Sequence, residues 1–230
     1  MIVDGHCHIG HWKKYFPGLN GEKEDLLKIM AETGIDKAIV FKSDSEDNEE
    51  ILKSVGEDPQ FIYFWWAQLN DPFLKFTKKI YGFKIHPTIE NSRVDHFKEH
   101  LAYASDNRLP VIIHCGRSHP IASYKYALDV ARRYSADLIL AHMGGASPAL
   151  SLKAMAEAQN LKKVSFGIEG IVEPFVLKRG IKLLGPERFI FGSDFPISHP
   201  RIYLTMIDLI CSEQEKKLIL AENILRLLQW

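Results

Sequence analysis

The chain alternates short apolar runs with amphipathic stretches from one end to the other. The apolar runs are rich in Ile, Val, Phe and Tyr, residue types that favour β-strands. Strands separated by helices predict an α/β domain, and they exclude an all-helical bundle or an antiparallel sandwich. The eight predicted strands are 2–4, 37–41, 61–67, 82–85, 110–113, 138–141, 164–168 and 189–192.

The stretches between the strands have helical periodicity. Apolar residues at spacings of three and four form one face, as in 92–105. The last helix opens at Ser212 with a capping-box pattern, and Asn223 within it is predicted to bond to backbone near the last strand. The predicted helices are 22–33, 92–105, 119–134, 148–158, 174–184, 200–210 and 212–228, the last of them facing the protein through Leu218, Ala221, Leu225 and Leu228.

Composition narrows the class of protein. The 230 residues contain no Pro/Gly/Ser-rich linker, so we expect a single domain spanning residues 1–230. The 29 basic and 29 acidic residues cancel, which gives no electrostatic reason to expect a nucleic-acid partner. Three scattered cysteines indicate reduced thiols, and no apolar run approaches the about 20 residues of a membrane span. Because the chain starts directly in a strand pattern, we expect no signal peptide and a cytoplasmic location.

Ionisable side chains recur at the carboxyl ends of the predicted strands. Eight strands alternating with helices fit either an open doubly wound sheet or a closed (β/α)8 barrel. The carboxyl ends of barrel strands surround one axis, whereas an open sheet spreads them along a line. The pattern therefore favours an α/β fold made of one (β/α)8 TIM barrel with an additional C-terminal helix. The strand-end residues are His6, His8, Lys84, His86, His114, His142 and Asp194.

His6 and His8 are the most informative pair in this set. Residues i and i+2 of a strand point to the same face about 7 Å apart, so the two imidazoles can converge while Cys7 points away. A zinc-type ion, bound at about 2.0–2.1 Å, suits that convergence. Each strand-end residue alone has an ordinary structural explanation, such as a turn at Asp194. Together they would be costly buried groups unless a shared metal satisfied them.

Several short motifs occur in a specific order along the chain. They are His-Cys-His at 6–8, Gly-Phe-Lys-Ile-His-Pro at 82–87, His114, His-Met-Gly-Gly at 142–145, Gly-Ser-Asp-Phe-Pro at 192–196 and Asn-Ile-Leu-Arg-Leu-Leu at 223–228. With them the sequence resembles the amidohydrolase superfamily, specifically its amidohydrolase-2 branch of metal-dependent hydrolases and decarboxylases. The resemblance implies a (β/α)8 barrel with one divalent metal, most often zinc, at the carboxyl face. It also implies that His142 is a further ligand or the acid/base beside the metal, and that the ligands are His6, His8, His114 and Asp194.

A site of this composition suits metal-assisted hydrolysis. A bound metal makes water more acidic and polarises a neighbouring carbonyl. Asp194 is then expected to take the water proton and pass it to the leaving group, while His142 acts as base or stabilises the oxyanion. We therefore expect a metal-dependent hydrolase of a small amide, lactone or ester. Decarboxylation of an unsaturated carboxylic acid uses the same centre and is the alternative.

Three residues near the site are candidates for substrate binding. Lys84 and His86 share one strand parity, and Arg117 follows the fifth strand. A plain ammonium at Lys84 that contacts an anionic substrate is the preferred interpretation. The alternatives are a carbamylated Lys84 bridging two metals, as in some superfamily relatives, and a salt bridge inside the barrel mouth. The forked donors of Arg117 suit a carboxylate.

Other features complete the predicted site. The loop at 11–17 is aromatic and basic and is expected to cover the site, and one of Trp65 and Trp66 should line the interior. Glu169 ends the seventh strand and is predicted to contact a substrate hydroxyl or amine. Cys115 next to His114 suggests a thiol nucleophile, but its opposite parity favours a buried structural thiol.

Two other classes of function remain as alternatives. A TatD-type deoxyribonuclease shares the opening His-x-His, but Gly-Phe-Lys-Ile-His at 82–86 replaces the Glu usual at that strand, and the net charge is zero. A nonenzymatic metal-binding barrel is also compatible with the residues. We expect a small-molecule substrate, no membrane and no nucleic acid, and the sequence is compatible with a homo-oligomer.

Overall fold

The strands of this computed structural model, which describes residues 1–71, 80–116 and 120–230, run parallel and in chain order around a barrel. A two-residue strand, Asn20–Gly21, pairs antiparallel with the end of the first strand. The eight barrel strands within the described residues are β1 (Val3–His11), β2 (Lys37–Lys42), β3 (Phe61–Tyr63 and Trp65–Trp66), β4 (Phe83–Ile85), β5 (Val111–Ile113), β6 (Leu138–Leu140), β7 (Val164–Gly167) and β8 (Phe189–Ile190).

The first and last strands close the barrel. Neighbouring strands pair in parallel from β1 to β3, and from the second part of β3 to β8. The Gly5 N–H donates to the Phe191 carbonyl (2.8 Å) and the His8 N–H to the Phe195 carbonyl (2.7 Å). These bonds join β1 to the segment that follows β8. The fold is therefore the predicted TIM barrel, and the open sheet is excluded.

Within the described residues the helices overlap the positions predicted for them, with one addition. Residue 119, where the predicted helix 119–134 begins, lies outside the described residues. The addition is α2, whose amino end is capped by the Asp47 side chain accepting from the Glu49 and Glu50 N–H groups. None of the helices in the described parts of the chain combines the length and apolar character needed to cross a bilayer. The helices are α1 (Lys23–Thr33), α2 (Asn48–Val55), α3 (Lys98–Asn107), α4 (Tyr124–Arg133), α5 (Pro148–Glu157), α6 (Pro174–Leu184), α7 (Pro200–Ile210), α8 (Glu213–Lys217) and α9 (Asn223–Leu227).

Strand parity divides the core into two layers. Successive side chains of a strand point to opposite faces, so Ile39 and Phe41 lie in the inner cluster of the barrel while Val40 packs in the outer one, against the helices. Trp66 belongs to the inner cluster and Trp65 to the outer one. The prediction that one of the two tryptophans faces the interior is confirmed.

The C-terminal segment packs into the inner cluster. Ser212 forms the predicted capping box with Glu215. A π-helical turn, Leu218–Glu222, separates α8 from α9 and shifts the buried face of the segment. The prediction for this face is therefore partly wrong: Ala221 and Leu228 are buried, Leu218 and Leu225 are only half-buried, and Ile219, Ile224 and Leu227 take their place.

Asn223 fastens this segment to the end of the barrel wall. Its buried Nδ2 donates to the carbonyls of Phe189 (2.7 Å) and Pro186 (2.9 Å), as the sequence predicts. We expect Asn223→Ala to lower the free energy of unfolding by about 2 kcal/mol, because the buried Phe189 carbonyl loses the Asn223 donor and the Pro186 carbonyl keeps only the Phe189 N–H. Chemical denaturation measures the change. The exposed neighbour Glu222 supplies the control, since Glu222→Ala should change stability by less than about 0.5 kcal/mol; equal effects would contradict the role of Asn223.

Candidate metal centre

His6, His8 and Asp194 meet at the junction of the first and last strands. The Asp194 Oδ1 atom lies 3.3 Å from His6 Nε2 and 3.4 Å from His8 Nε2. Tetrahedral coordination with bonds of about 2.1 Å separates neighbouring ligand atoms by about 3.4 Å. All three side chains are buried. The donor set and its spacing therefore fit a divalent metal ion.

The backbone around His8 sets the direction of its imidazole. His8 Nδ1 lies 3.1 Å from the carbonyl oxygen of Lys42. Because a carbonyl can only accept, Nδ1 carries the proton and Nε2 presents a lone pair towards Asp194. The Phe41 ring holds the His8 ring edge-on at 4.6 Å. Burial lowers the pKa of His8, which favours the neutral imidazole that metals bind.

Asp194 is placed to remain ionised. Burial alone would raise the pKa of Asp194, but the close contact with His8 and the neighbouring imidazoles hold it well below its usual range. The Asp194 N–H donates to the His6 carbonyl (2.9 Å), which fixes the turn after β8 to β1. Asp194 also has a left-handed φ of 63°. Strained backbone of this kind is typical of functional sites.

Glu169 lies beneath His6 and does not face the cavity. Its Oε1 atom is 3.0 Å from His6 Nδ1 and 3.1 Å from the backbone nitrogen of His142. The side chain is only 1% exposed and does not line the cavity, so the expected contact with a substrate hydroxyl or amine stays a prediction. Ligand atoms of His6, His142 and Glu169 also lie within 4.8 Å of one another, as do those of His6, His8 and Asp194.

Three imidazoles line the opposite side of the site. The His86 and His114 rings stack with centroids 3.8 Å apart, and His114 Nδ1 lies 3.0 Å from His142 Nε2. His114 thus pairs with His142 here, and its role as a direct metal ligand stays a prediction. His142 and Met143 have left-handed φ values of 55° and 50°, a second strained turn at the site.

Lys84 contacts His6 from inside the barrel. Its Nζ atom lies 3.1 Å from His6 Nε2 and 4.8 Å from the centre of the Phe41 ring. Burial lowers the pKa of Lys84 to about 8. The ammonium thus contacts the same nitrogen of His6 that faces Asp194. Lys84 is fully buried outside the cavity wall, and Arg117 lies outside the described residues.

A cavity of about 460 Å³ opens onto Asp194, His8 and the three imidazoles of His86, His114 and His142. The predicted covering loop contributes aromatic walls, which confirms its placement. Asp44, which sequence reasoning missed, holds the loop by accepting from the N–H groups of Lys13, Lys14 and Tyr15 (2.9 Å each). No local motif marks Asp44, because its partners lie about 30 residues earlier. The main lining residues are His8, Trp12, Tyr15, Phe16, His86, His114, His142, Asp194 and Ile197.

Cys115 faces away from the cavity, as its parity predicts. Its Sγ atom lies 3.7 Å from the Ile113 carbonyl oxygen, in the outer core. Burial raises the pKa of Cys115 to about 12. The thiol is therefore protonated at neutral pH and is a poor nucleophile.

Alkylation kinetics test this assignment. We expect Cys115 in the folded protein to react with iodoacetamide at pH 8 at least about 10³-fold more slowly than after denaturation, since each unit of raised pKa lowers the thiolate fraction tenfold. Mass spectrometry of labelled peptides measures both rates. The half-buried Cys211 is the internal comparison. Rapid labelling of Cys115 in the folded protein would restore the thiol-nucleophile alternative.

Comparison with known proteins shows what this chain is similar to. The sequence has no significant match among curated proteins. A zinc-bound amidohydrolase from Burkholderia multivorans shares the fold with a TM-score of 0.75 at 16% identity, covering 100% of this chain and 99% of that one. The 2,6-dihydroxybenzoate decarboxylase of Rhizobium has a TM-score of 0.78 at 14% identity, covering 99% and 98%. A putative 2-pyrone-4,6-dicarboxylic acid hydrolase from Pseudomonas putida has a TM-score of 0.74 at 15% identity, covering 99% and 97%.

The sequence itself carries the family assignment. The sequence model of the amidohydrolase family matches residues 77–230, about two thirds of the chain. The matched region contains β4 to β8 and the turn that carries Asp194, while the His-x-His of β1 lies before it. This chain belongs to the amidohydrolase family.

Proposed function

We propose that the chain is a metal-dependent hydrolase of the amidohydrolase type that acts on a small amide, lactone or ester. We propose that residues 1–230 form its single domain. The observation that carries the proposal is the Asp194 carboxylate, which contacts both His6 and His8 in the wall of the 460 Å³ cavity. Zinc is the proposed metal, because two imidazoles and a carboxylate suit it. The proposed ligands are His6, His8, His114 and Asp194.

The residues around the cavity have separate proposed roles. When bound, a divalent cation supplies a Lewis acid that polarises a substrate carbonyl and makes water more acidic. Asp194 accepts the proton of the attacking water and returns it to the leaving group. His142 is the second acid/base group and lines the same cavity as Asp194. Lys84, His86 and Arg117 remain the proposed substrate-binding residues.

The structure adds detail to the role of His86. Its Nδ1 accepts the N–H of Ile89 at 3.2 Å. Burial holds the pKa of His86 well below its usual value, so the ring is neutral and carries its proton on Nε2. Since His86 lines the cavity, the ring offers one donor to a substrate oxygen. We infer that this donor binds a carbonyl or carboxylate.

Decarboxylation of an unsaturated acid is the second candidate. The cavity wall combines the aromatic rings of Trp12, Tyr15 and Phe16 with the stacked His86–His114 pair. Flat aromatic walls suit a planar conjugated substrate. The Rhizobium neighbour acts, by its description, on such an acid. This candidate uses the same cation and the same cavity.

One panel separates the two reactions. Zinc-loaded protein is assayed against amides, esters, lactones including 2-pyrones, and aromatic or conjugated acids, with acid release and CO2 release recorded in parallel. We expect acid release without CO2, lost on chelation and restored by added zinc. CO2 release would favour the decarboxylase, and metal binding without turnover would favour the nonenzymatic barrel.

A cytoplasmic location accompanies this proposal. The three cysteines are free, and two of them, Cys7 and Cys115, are fully buried. Reduced thiols of this kind are typical of proteins in reducing compartments. Fractionation of cells that express the full chain tests the location, and recovery outside the cytoplasm would contradict it.

A further inference from the structure

We propose that Glu169 is a positioning residue, which orients His6 for metal binding and ties it to the turn that carries His142. The inference rests on the proposed function, since it gives His6 a metal to bind. It assigns the buried end of β7 a task that no sequence motif marks. Glu169 acts through His6 and touches neither substrate nor the reacting atoms.

One oxygen of Glu169 makes both contacts. Oε1 lies 3.0 Å from His6 Nδ1 and 3.1 Å from the backbone nitrogen of His142. The backbone N–H of His142 can only donate, so Oε1 is an acceptor, and His6 Nδ1 carries the other proton. His6 Nε2 then carries a lone pair, which lies 3.1 Å from Lys84 Nζ and 3.3 Å from Asp194 Oδ1. A carboxylate that receives the second ring N–H of a metal-binding histidine fixes its tautomer and ring direction.

Two glycines make the space for this carboxylate. A Cβ on Gly167 would lie 2.5 Å from Glu169 Oε2 and 2.7 Å from Oε1, and a Cβ on Gly192 would lie 2.7 Å from Oε2. Neither glycine has a left-handed φ, so backbone conformation does not require glycine at either position. A side chain at either position would instead have to displace the Glu169 carboxylate, and at Gly192 it would also lie 2.9 Å from the Cβ of His6. Gly167 in β7 and Gly192 after β8 thus leave room for the carboxylate beside His6.

Stability does not account for Glu169. The side chain is 1% exposed, and its Oε2 atom has no hydrogen-bond partner among the described residues. A buried carboxylate with an unpaired oxygen is destabilising. An apolar side chain of similar size would fill the same space at lower cost. The role of Glu169 in orienting His6 explains why a destabilising carboxylate is present at this position.

The same atoms suggest one competing arrangement. His6, His142 and Glu169 form a group of ligand atoms within 4.8 Å of one another, which a second ion could occupy. His6 would then need both ring nitrogens as ligands and would have to lose both ring protons. A hydrogen bond from Nδ1 explains the 3.0 Å contact without that loss. We therefore assign Glu169 the role of positioning His6. The number of metal ions per chain distinguishes the two arrangements.

The first test measures zinc binding by the full chain, without any substrate. Chelator competition gives the zinc dissociation constant, and elemental analysis gives the number of ions. We expect one zinc per chain, bound about 10–100-fold more weakly in Glu169→Leu than in the wild type. Glu169→Gln keeps an acceptor and loses only the charge, so it should recover most of the affinity. Ser165→Ala, in the same strand, is the control and should bind zinc normally.

Gly167, which leaves room for the Glu169 carboxylate, supplies a second, independent variant. Gly167→Ala leaves Glu169 in place but displaces its carboxylate, so zinc binding should weaken as well. Glu169→Ala removes the carboxylate that the new Cβ would displace. In that background, adding Gly167→Ala should change the zinc affinity little. This non-additivity marks an effect transmitted through the carboxylate. Additive losses of zinc affinity would show that Gly167 does not act through the Glu169 carboxylate, and would overturn this part of the proposal.

The metal-free protein gives a readout that depends on neither zinc nor activity. The ¹⁵N shifts of the His6 ring, identified by their loss in His6→Gln, are compared in a Lys84→Met background, because the Lys84 ammonium also donates to His6 Nε2. They should show Nδ1–H when Glu169 is present and a tautomer mixture when Glu169→Leu is added. Wild-type zinc affinity in Glu169→Leu, together with an unchanged tautomer in the Lys84→Met background, would overturn the positioning role. Two ions in the wild type and one in Glu169→Leu would also overturn it, in favour of a second metal site. A wild type that shows the Nδ1–H tautomer but binds no zinc would instead refute the proposed function.

Discussion

Replacing Asp194 with asparagine is expected to lower kcat/KM by about 10³-fold and to weaken zinc binding. The side chain keeps its size but loses the charge that faces His6 and His8 at 3.3 Å and 3.4 Å. It also loses the ability to take a proton, a step that contributes about 10²–10⁴-fold in enzymes. Asn tolerates the left-handed φ of 63°, so the turn should be preserved. Steady-state kinetics with the substrate found in the panel and chelator competition measure the two effects.

The control for this variant is another aspartate without a site contact. Asp129 forms an exposed i,i+3 pair with Arg132 on α4, and Asp129→Asn should leave both readouts unchanged. Circular dichroism of Asp194→Asn checks that the barrel is retained. A folded Asp194→Asn protein with more than about a tenth of wild-type kcat/KM would contradict the role of Asp194 as the proton acceptor.

Replacing His142 with asparagine should lower kcat by about 10³-fold while one zinc per chain is retained. The change removes the imidazole that lies 3.0 Å from His114. It preserves the strained turn, because Asn adopts the φ of 55° and ψ of 40° at this position more readily than other residues. The backbone N–H that donates to Glu169 also remains. A loss of kcat therefore reports on the imidazole rather than on the fold.

Metal content decides between the two roles left open for His142. Retained zinc with low kcat assigns His142 to acid/base chemistry, whereas lost zinc assigns it to coordination and contradicts our expectation. His96→Asn is the control, since His96 pairs with Ser92 at 2.8 Å, outside the residues that line the cavity. That variant should keep both kcat and zinc.

The secondary structure was largely readable from the sequence. All eight strands lie where runs of β-branched and aromatic residues predict them, because parallel barrel strands are buried on both faces. Helix α2 was missed, although Asp47 at its N-cap and Ile51, Leu52 and Val55 on one face were available as signals. The buried face of the last helix was predicted incorrectly in part, since a π turn changes the helical period and leaves no clear sequence signal.

The candidate site was less readable than the fold. Strand parity paired His6 with His8 and turned Cys115 away, and the position of Asp194 at a strand end predicted that it lies near them, as the contacts show. Parity could not place Glu169, because the atoms that surround it belong to β1, to β7 and to the segments that follow β6 and β8.

Local periodicity, which extends over a few residues, was enough to predict the alternation of strands and helices. The ionisable residues at the strand ends were enough to favour the barrel. The three-dimensional structure was needed to show which nitrogen of His6 meets Glu169, that Lys84 contacts the other nitrogen, and that His114 pairs with His142. Those contacts depend on side-chain rotamers and on space left by distant residues such as Gly167, which no spacing along the chain encodes.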